Sequence, residues 1–248
     1  MNKKRLIFLT FTIVFVHGAL LAQNIRVAAA ANLQSVIEVL QKDFKQKTGI
    51  VIEPVVGSSG KLVAQISNGA PFDVFLSADM SFPETLFKNG FTTKRPVAYA
   101  AGSLIICSSQ NIGFTNWERL LMSARVNKIA MANPATAPYG KAAEELLQSK
   151  GILDDVKPKI VYGESISQVN TYITTGVVDI GFTTQALVKD AKTKLYYQII
   201  DAKAYQPILQ GMVLLKHAAD NPNAEKFYQY ILGPAAKKIF ADYGYRLL

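Results

Sequence analysis

Short apolar runs alternate with amphipathic helical segments along most of the chain. Apolar residues recur on one face of the first helical segment, at Leu33, Val36, Ile37, Leu40 and Phe44. In the first half, this pattern predicts strands at 24–30, 50–56 and 72–76 and helices at 33–47, 61–68 and 82–88. Apolar strands that alternate with helices are typical of parallel sheets covered by helices on both faces.

The second half repeats the alternation. It predicts helices at 117–123, 140–150 and 167–175, strands at 128–132, 159–162 and 179–183, and two closing helices at 224–232 and 235–243. One long extended segment, 97–108, separates the two sets of strands and helices, and a second, 208–215, precedes the closing helices. We therefore predict two α/β lobes joined by two crossings, with the closing helices returning to the first lobe. The expected limits are 23–98 with 210–248 for lobe I and 99–209 for lobe II; one continuous domain is the alternative.

The N-terminus has the pattern of a secretory signal peptide. Three positive residues in Met1–Arg5 precede the apolar run Leu6–Val16, and small residues lead up to Ala22. We expect cleavage after Ala22 and export to the periplasm. No later segment reaches the roughly 20 apolar residues of a spanning helix, so the exported protein is expected to be soluble.

Composition narrows the function further. Half of the residues are hydrophobic and 18% are charged, which excludes a disordered chain. The net charge is +9, but Lys and Arg are scattered and do not form a basic stripe, so no nucleic-acid partner is expected. Cys107 is the only cysteine, so it cannot form an intrachain disulfide. It lies in an apolar run and is interpreted as a core residue, and no cysteine near the cleavage site could carry a lipid anchor.

Four turns between a strand and the next helix are small or polar. In open α/β sheets, ligands bind where strands end and helices begin. The four turns are 29–32, 57–60, 137–140 and 163–167. Free backbone N–H groups at several helix starts could together hold a dianion without any Lys or Arg. The alternative is that Asn32, Ser58 or Ser59, and Ser165 or Ser167 are ordinary helix caps.

Catalytic groups are poorly represented. The segment 57–62 is similar to a phosphate-binding loop, but Val55 replaces the first glycine and Leu62 the Mg²⁺-binding Ser or Thr. His217 is the only histidine beyond the signal peptide, so a His-rich metal cluster cannot form. A Cys107–His217 nucleophilic pair would make the protein a secreted hydrolase or transferase, which is the rival hypothesis. Asp73 and Asp79 are interpreted as capping or loop residues, and neither an enzyme nor a cofactor is expected.

Several short strings, in this order, resemble one family. They are AAAANL at 28–33, GSSGKL at 57–62, GAPFDVFLSAD at 69–79, NPATAPYG at 133–140 and the ending Gly244-Tyr245. Together with the export signal, they are similar to the periplasmic molybdate-binding proteins of ABC transporters. The similarity covers nearly all of the chain after the signal peptide.

This resemblance implies a type II periplasmic binding protein fold. Each lobe would have a mostly parallel sheet with helices on both faces, and an oxyanion would be held between the lobes by neutral donors. It implies four ligand-binding residues: Asn32 through its side chain or backbone N–H, Ser59 through its hydroxyl and N–H, and Tyr139 and Ile166 through their backbone N–H groups. The metal would be bound as an oxyanion, without direct bonds from protein to metal.

A fifth position departs from the family. Thr184 stands where the family often has a ligand-binding tyrosine hydroxyl, so a water, a tighter closure or Thr183 would have to replace that hydroxyl. The expected ligand is molybdate, with tungstate as well; sulfate, phosphate or a polar organic solute are alternatives. The expected partner is a membrane permease of an ABC transporter, contacted transiently by a monomer.

Overall fold

The computed structural model describes residues 24–248, and the predicted signal peptide with its cleavage site lies outside them. The chain forms two five-stranded sheets. The first contains β1 (Ile25–Ala30), β2 (Ile52–Gly57), β3 (Val74–Ser77), β4 (Val97–Gly102) and β10 (Ile208–Leu214). The second contains β5 (Leu104–Ser108), β6 (Ile129–Ala132), β7 (Ile160–Gly163), β8 (Ile180–Thr184) and β9 (Tyr196–Ile199). We call the two sheets with their helices lobe I and lobe II.

The helices connect and cover these strands. They are α1 (Gln34–Thr48), α2 (Ser59–Ser67), α3 (Ser81–Lys88), α4 (Trp117–Met122), α5 (Pro138–Ser149), α6 (Leu153–Val156), α7 (Ile166–Thr174), α8 (Ala186–Asp190), α9 (Pro222–Leu232) and α10 (Pro234–Asp242). Short 3₁₀ turns cover Ala31–Leu33, Lys157–Lys159 and Lys216–Asp220. None of the helices among the described residues has both the length and the apolar character of a membrane-spanning segment.

Both sheets are mixed, with the same plan. In lobe I, with strand order β2-β1-β3-β10-β4, the first three are parallel and β10 is antiparallel to both of its neighbours. In lobe II, with order β7-β6-β8-β5-β9, the first three are again parallel and β5 is antiparallel to its neighbours. The predicted two-lobed α/β class is confirmed. In each sheet, two further strands follow the three parallel ones: β10 and β4 in lobe I, and β5 and β9 in lobe II.

The crossings are strands of the sheets themselves. The extended segment predicted at 97–108 consists of β4 in lobe I and β5 in lobe II, separated at Ser103. The chain returns through β10, after β9. The predicted limits at 98/99 and 209/210 therefore fall inside β4 and β10, whereas the sheet membership changes at Ser103 and between Ile199 and Ile208.

Each lobe has its own apolar core. The closing helices α9 and α10 pack on the first sheet, where Phe227 contacts Phe44 with ring centroids 5.2 Å apart. The core of lobe II includes Trp117 and Phe182, whose rings meet edge to face. Sequence reasoning missed α6, α8 and β9, because elements of four or five residues are too short to show a clear period.

Candidate functional site

A small cavity lies between the lobes, where the parallel strands end. Lobe I contributes Ala30, Ala31, Asn32, Ser58, Ser59 and Ala78, and lobe II contributes Ala137, Pro138, Tyr139 and Ile166. These residues follow the carboxyl ends of β1, β2, β3, β6 and β7, which is where ligands bind in open α/β sheets. The cavity is small in this arrangement of the lobes, with a volume of about 10 Å³, which is close to the space that one water molecule needs.

Contacts between the lobes close the cavity. The backbone N–H of Gly60 in lobe I donates to Thr136 O in lobe II (3.0 Å), and Ser167 Oγ donates to Ala31 O (3.4 Å). A Cβ on Gly60 would lie 3.1 Å from Thr136 Cα, so this approach favours glycine. On the outside, Lys61 Nζ forms an ion pair with Glu164 that also joins the lobes.

Three helix N-termini supply free backbone donors. The first N–H groups of a helix have no partner within the helix and carry its positive dipole end. Ser59 and Ile166 are the first residues of α2 and α7, and Tyr139 follows Pro138, which has no N–H, at the start of α5. Among the described residues, no acceptor takes the N–H of any of the three. The three groups therefore remain available to a ligand in the cavity that their residues line.

The Ser59 hydroxyl is oriented by a backbone contact. The N–H of Ala78, which follows β3, donates to Ser59 Oγ at 3.1 Å. A hydroxyl can accept and donate at once, so this bond leaves the O–H of Ser59 free. Ser59 therefore has two donors, the hydroxyl and the backbone N–H, as the resemblance implied.

The Asn32 side chain is committed elsewhere. Its Nδ2 donates to Gln210 Oε1 (2.7 Å) and to the Tyr245 hydroxyl (2.9 Å). An amide nitrogen has only two hydrogens, so none is left for a ligand. Of the two donors that the resemblance implied for Asn32, only the backbone N–H remains, because the side chain is used to connect the site to β10 and to the C-terminus.

Sequence reasoning missed Gln210. Its Nε2 donates to Ala78 O (3.0 Å) and Ile208 O (3.1 Å), and the residue is completely buried. The two carbonyls fix the orientation of its amide, which in turn makes Oε1 the acceptor for Asn32. The signal was present in the sequence, since a single glutamine in an apolar strand must find buried partners.

Thr184 is placed differently from the expectation. It is buried at the end of β8 but does not line the cavity, and its Oγ1 accepts the N–H of Ala186 (3.3 Å). Thr183 is not among the lining residues either, and its hydroxyl donates to Asn170 Oδ1. Thr184 instead lies beside the hydroxyls of Tyr139 and Tyr245, and burial raises the pKa of both phenols. Neither threonine is among the residues that line the cavity in this arrangement of the lobes.

Among the residues that the structure describes, no charged side chain lines the cavity. Tyr139 is its only titratable lining residue, and burial raises the pKa of this phenol well above its usual range. A ligand would therefore meet neutral N–H and O–H donors, and an anion would be bound by hydrogen bonds and helix dipoles.

The groups proposed for catalysis do not meet. Cys107 is fully buried in the core of lobe II, and burial raises the pKa of its thiol to about 12. His217 belongs to lobe I, where its Nδ1 lies 3.2 Å from Asp73 Oδ1. The structure does not bring Cys107 and His217 together as a pair, because Cys107 is enclosed in the core of lobe II and the His217 ring contacts Asp73. Within residues 24–248, no three potential metal ligands cluster.

The two aspartates have structural roles. Asp73 Oδ2 accepts the N–H of Arg26 at 2.8 Å. Asp79 accepts the hydroxyl of Ser81 (2.7 Å) and the N–H of Phe82 (3.3 Å) at the start of α3. The capping or loop interpretation of Asp73 and Asp79 is confirmed.

Comparisons with known proteins agree with this geometry. Residues 25–246 match the family described as bacterial extracellular solute-binding protein. The molybdate-binding protein ModA of Azotobacter vinelandii is 35% identical over 229 residues, 91% of this chain and 91% of that protein. ModA of Rhodobacter capsulatus is 33% identical over 227 residues, 90% of this chain and 88% of that protein.

A solved structure shows the same fold. The periplasmic molybdate-binding protein of A. vinelandii superposes with a TM-score of 0.85 at 34% sequence identity, covering 90% of this chain and 99% of that chain. The family match extends over almost all described residues. With its two lobes and the cavity between them, the chain therefore belongs to the bacterial extracellular solute-binding proteins and has the two-lobed fold of the periplasmic binding proteins.

Proposed function

We propose that this protein binds molybdate, and tungstate as well, between its lobes and delivers it to an ABC transporter. The observation that carries the proposal is the set of free neutral donors around one small uncharged cavity. These donors are the N–H groups of Ser59, Tyr139 and Ile166 and the hydroxyl of Ser59. The relatives that are named molybdate-binding proteins support the choice of oxyanion.

The chemistry of these donors suits a tetrahedral dianion. Helix N-termini attract negative charge, and hydrogen bonds to a charged acceptor are stronger than those between neutral groups. Because no Lys or Arg contributes, the cavity does not attract every anion equally. Selection rests on the fit of the oxygens to fixed donors, which favours molybdate and tungstate over the smaller sulfate.

Transport follows from the two-lobed form. Lobe I supplies Asn32 and Ser59 and lobe II supplies Tyr139 and Ile166, so both lobes must close to complete the donor set. Ligand binding stabilises the closed form by its differential affinity for that form. A membrane permease would then recognise the closed monomer transiently, after export to the periplasm and removal of the signal peptide. The protein itself would need neither a cofactor nor an enzymatic step.

Thermal unfolding with added anions tests the proposal. A ligand that binds only the folded protein raises the unfolding midpoint with its concentration. We expect molybdate and tungstate to raise the midpoint, and sulfate and phosphate to leave it unchanged. A rise with sulfate or phosphate alone would keep the binding-protein class and replace the ligand. No rise with any of the four anions would overturn the proposal.

A variant tests the site itself. Ser59→Ala removes a hydroxyl donor and should weaken molybdate binding by about 1 to 3 kcal/mol, measured by titration calorimetry. Ser123→Ala is the matched control, because Ser123 Oγ donates to Leu120 O in lobe II and does not line the cavity. Unchanged affinity in Ser59→Ala would remove the Ser59 hydroxyl from the ligand shell.

A further inference from the structure

Ser58 stands next to Ser59 but has a different environment. It is the N-cap residue of α2, with the extended backbone that such a residue normally has (φ −63°, ψ 145°). Serine at this position usually accepts the N–H of the second or third helical residue. The Ser58 side chain makes no such capping bond. The interpretation of Ser58 as an ordinary cap is therefore wrong.

A contact between the lobes explains why Ser58 does not accept the N–H of the second residue of α2. The N–H of Gly60, the second residue of α2, is taken by Thr136 O across the cleft. Capping of α2 at this position is thus done by a carbonyl of lobe II, which leaves the Ser58 hydroxyl unused.

Among residues 24–248, the Ser58 hydroxyl has no hydrogen-bond partner. Ser58 is 97% buried, it lines the cavity, and its Oγ has no hydrogen bond within the described part of the chain. A buried hydroxyl without a partner is unfavourable, and nearly all such groups in proteins are satisfied by protein, water or ligand. The available partner would be a molecule in the cavity, and an O–H donor needs an acceptor oxygen from it.

We propose that Ser58 Oγ donates a hydrogen bond to the bound oxyanion, as a second hydroxyl beside that of Ser59. This inference rests on the proposed function and adds a residue to its ligand shell. The two adjacent hydroxyls and the N–H of Ser59 would then form one cluster of donors at the start of α2, facing the helix starts of lobe II.

The test compares Ser58→Ala with the unchanged protein in calorimetric titrations with molybdate. Loss of one bond to a charged oxygen should weaken the affinity about tenfold to a hundredfold. Ser123→Ala is again the matched control, because Ser123 Oγ donates to Leu120 O (2.8 Å) and Ser123 does not line the cavity. Its molybdate affinity should stay within about twofold of that of the unchanged protein.

Thermal unfolding without ligand separates ligand binding from a structural role. If Ser58 binds the ligand, Ser58→Ala keeps the ligand-free midpoint and loses much of the shift that molybdate causes. A lower ligand-free midpoint with an unchanged affinity would overturn the inference and make Ser58 a structural residue.

The two proposals fail in different ways. If the unchanged protein binds molybdate and Ser59→Ala binds it weakly, equal affinity in Ser58→Ala overturns only the role of Ser58. If the unchanged protein binds none of the four anions, both proposals are overturned.

Discussion

Gln210 and Asn32 are joined by a 2.7 Å hydrogen bond, although 178 positions separate them in the chain. Gln210 lies on the returning crossing β10, and Asn32 lies in the wall of the cavity. Gln210 also holds Ala78 O, and the N–H of Ala78 orients the hydroxyl of Ser59. One buried hydrogen-bond network thus joins β10 to the two turns of lobe I that contain Asn32 and Ser59.

Replacing Gln210 should therefore affect both stability and binding. Gln210→Leu removes one of the two acceptors of Asn32 Nδ2 and the hydrogen bonds that Ala78 O and Ile208 O accept from the Gln210 amide. We expect the free energy of unfolding to fall by about 2 to 4 kcal/mol in urea titrations, because unpaired buried groups are costly. Molybdate affinity should fall as well, since Ala78 and Asn32 lose their support. Gln206→Leu, at an exposed position, is the control, and equal effects of the two variants would argue against the network.

The Lys61–Glu164 ion pair should slow ligand release. It joins the lobes outside the cavity, and both side chains are more than half exposed. Exposed pairs contribute little, about 0.2 to 1 kcal/mol, and are screened by salt. We expect Glu164→Gln to speed molybdate dissociation up to about fivefold in stopped-flow experiments at low salt.

This difference should vanish at about 1 M salt, where screening is strong. Asp242→Asn is the control, because the Lys238–Asp242 pair lies within α10 and does not join the lobes. A faster release that persists at high salt would mean that Glu164 acts by another route.

Ionisation of the protein should not make molybdate affinity depend on pH near neutrality. Within residues 24–248, Tyr139 is the only titratable residue that lines the cavity, and burial raises the pKa of its phenol. A phenol with a raised pKa stays neutral below its usual pKa of about 10. We expect the dissociation constant to change less than about twofold between about pH 6 and pH 9. A titration step in that range would reveal an ionisable group in the site.

The thiol of Cys107 should be unreactive in the folded protein. Burial raises its pKa to about 12, and the thiolate is the reactive form. The raised pKa also means that the contribution of Cys107 to stability is complete below the unfolded pKa of about 8.5 and decreases as the pH rises towards 12. We expect a thiol reagent at about pH 8 to label the protein only after unfolding in urea. Rapid labelling of the native protein would contradict the burial of this residue.

Gly140 should be needed for the position of Tyr139. A Cβ at Gly140 would overlap the carbonyl of Ala132, which belongs to β6 and has little room to move. Gly140→Ala should lower the free energy of unfolding by about 1 to 3 kcal/mol and weaken molybdate binding, because the start of α5 must shift. Gly113→Ala is the matched control, since a Cβ there meets no atom within 4 Å. Equal stability of the two variants would show that α5 can adjust.

The sequence alone determined the elements and the turns that surround the cavity. Helical and strand periods are local, so α1, α2, α5 and α7 were predicted within a few residues of their observed bounds. The small polar turns at 57–60 and 137–140 were identified for the same reason, since free N–H groups at a helix start need no distant partner.

Only the tertiary structure decided which atom of each turn faces the cavity. The Asn32 side chain is turned away by Gln210 and by Tyr245, which is 213 positions distant, and the cap of α2 is supplied by Thr136 of the other lobe. Thr184 lies beside the hydroxyls of Tyr139 and Tyr245, outside the cavity. These side-chain orientations depend on hydrogen bonds between residues that come into contact only after both lobes have folded and closed. A local pattern of apolar and polar residues does not predict such long-range contacts.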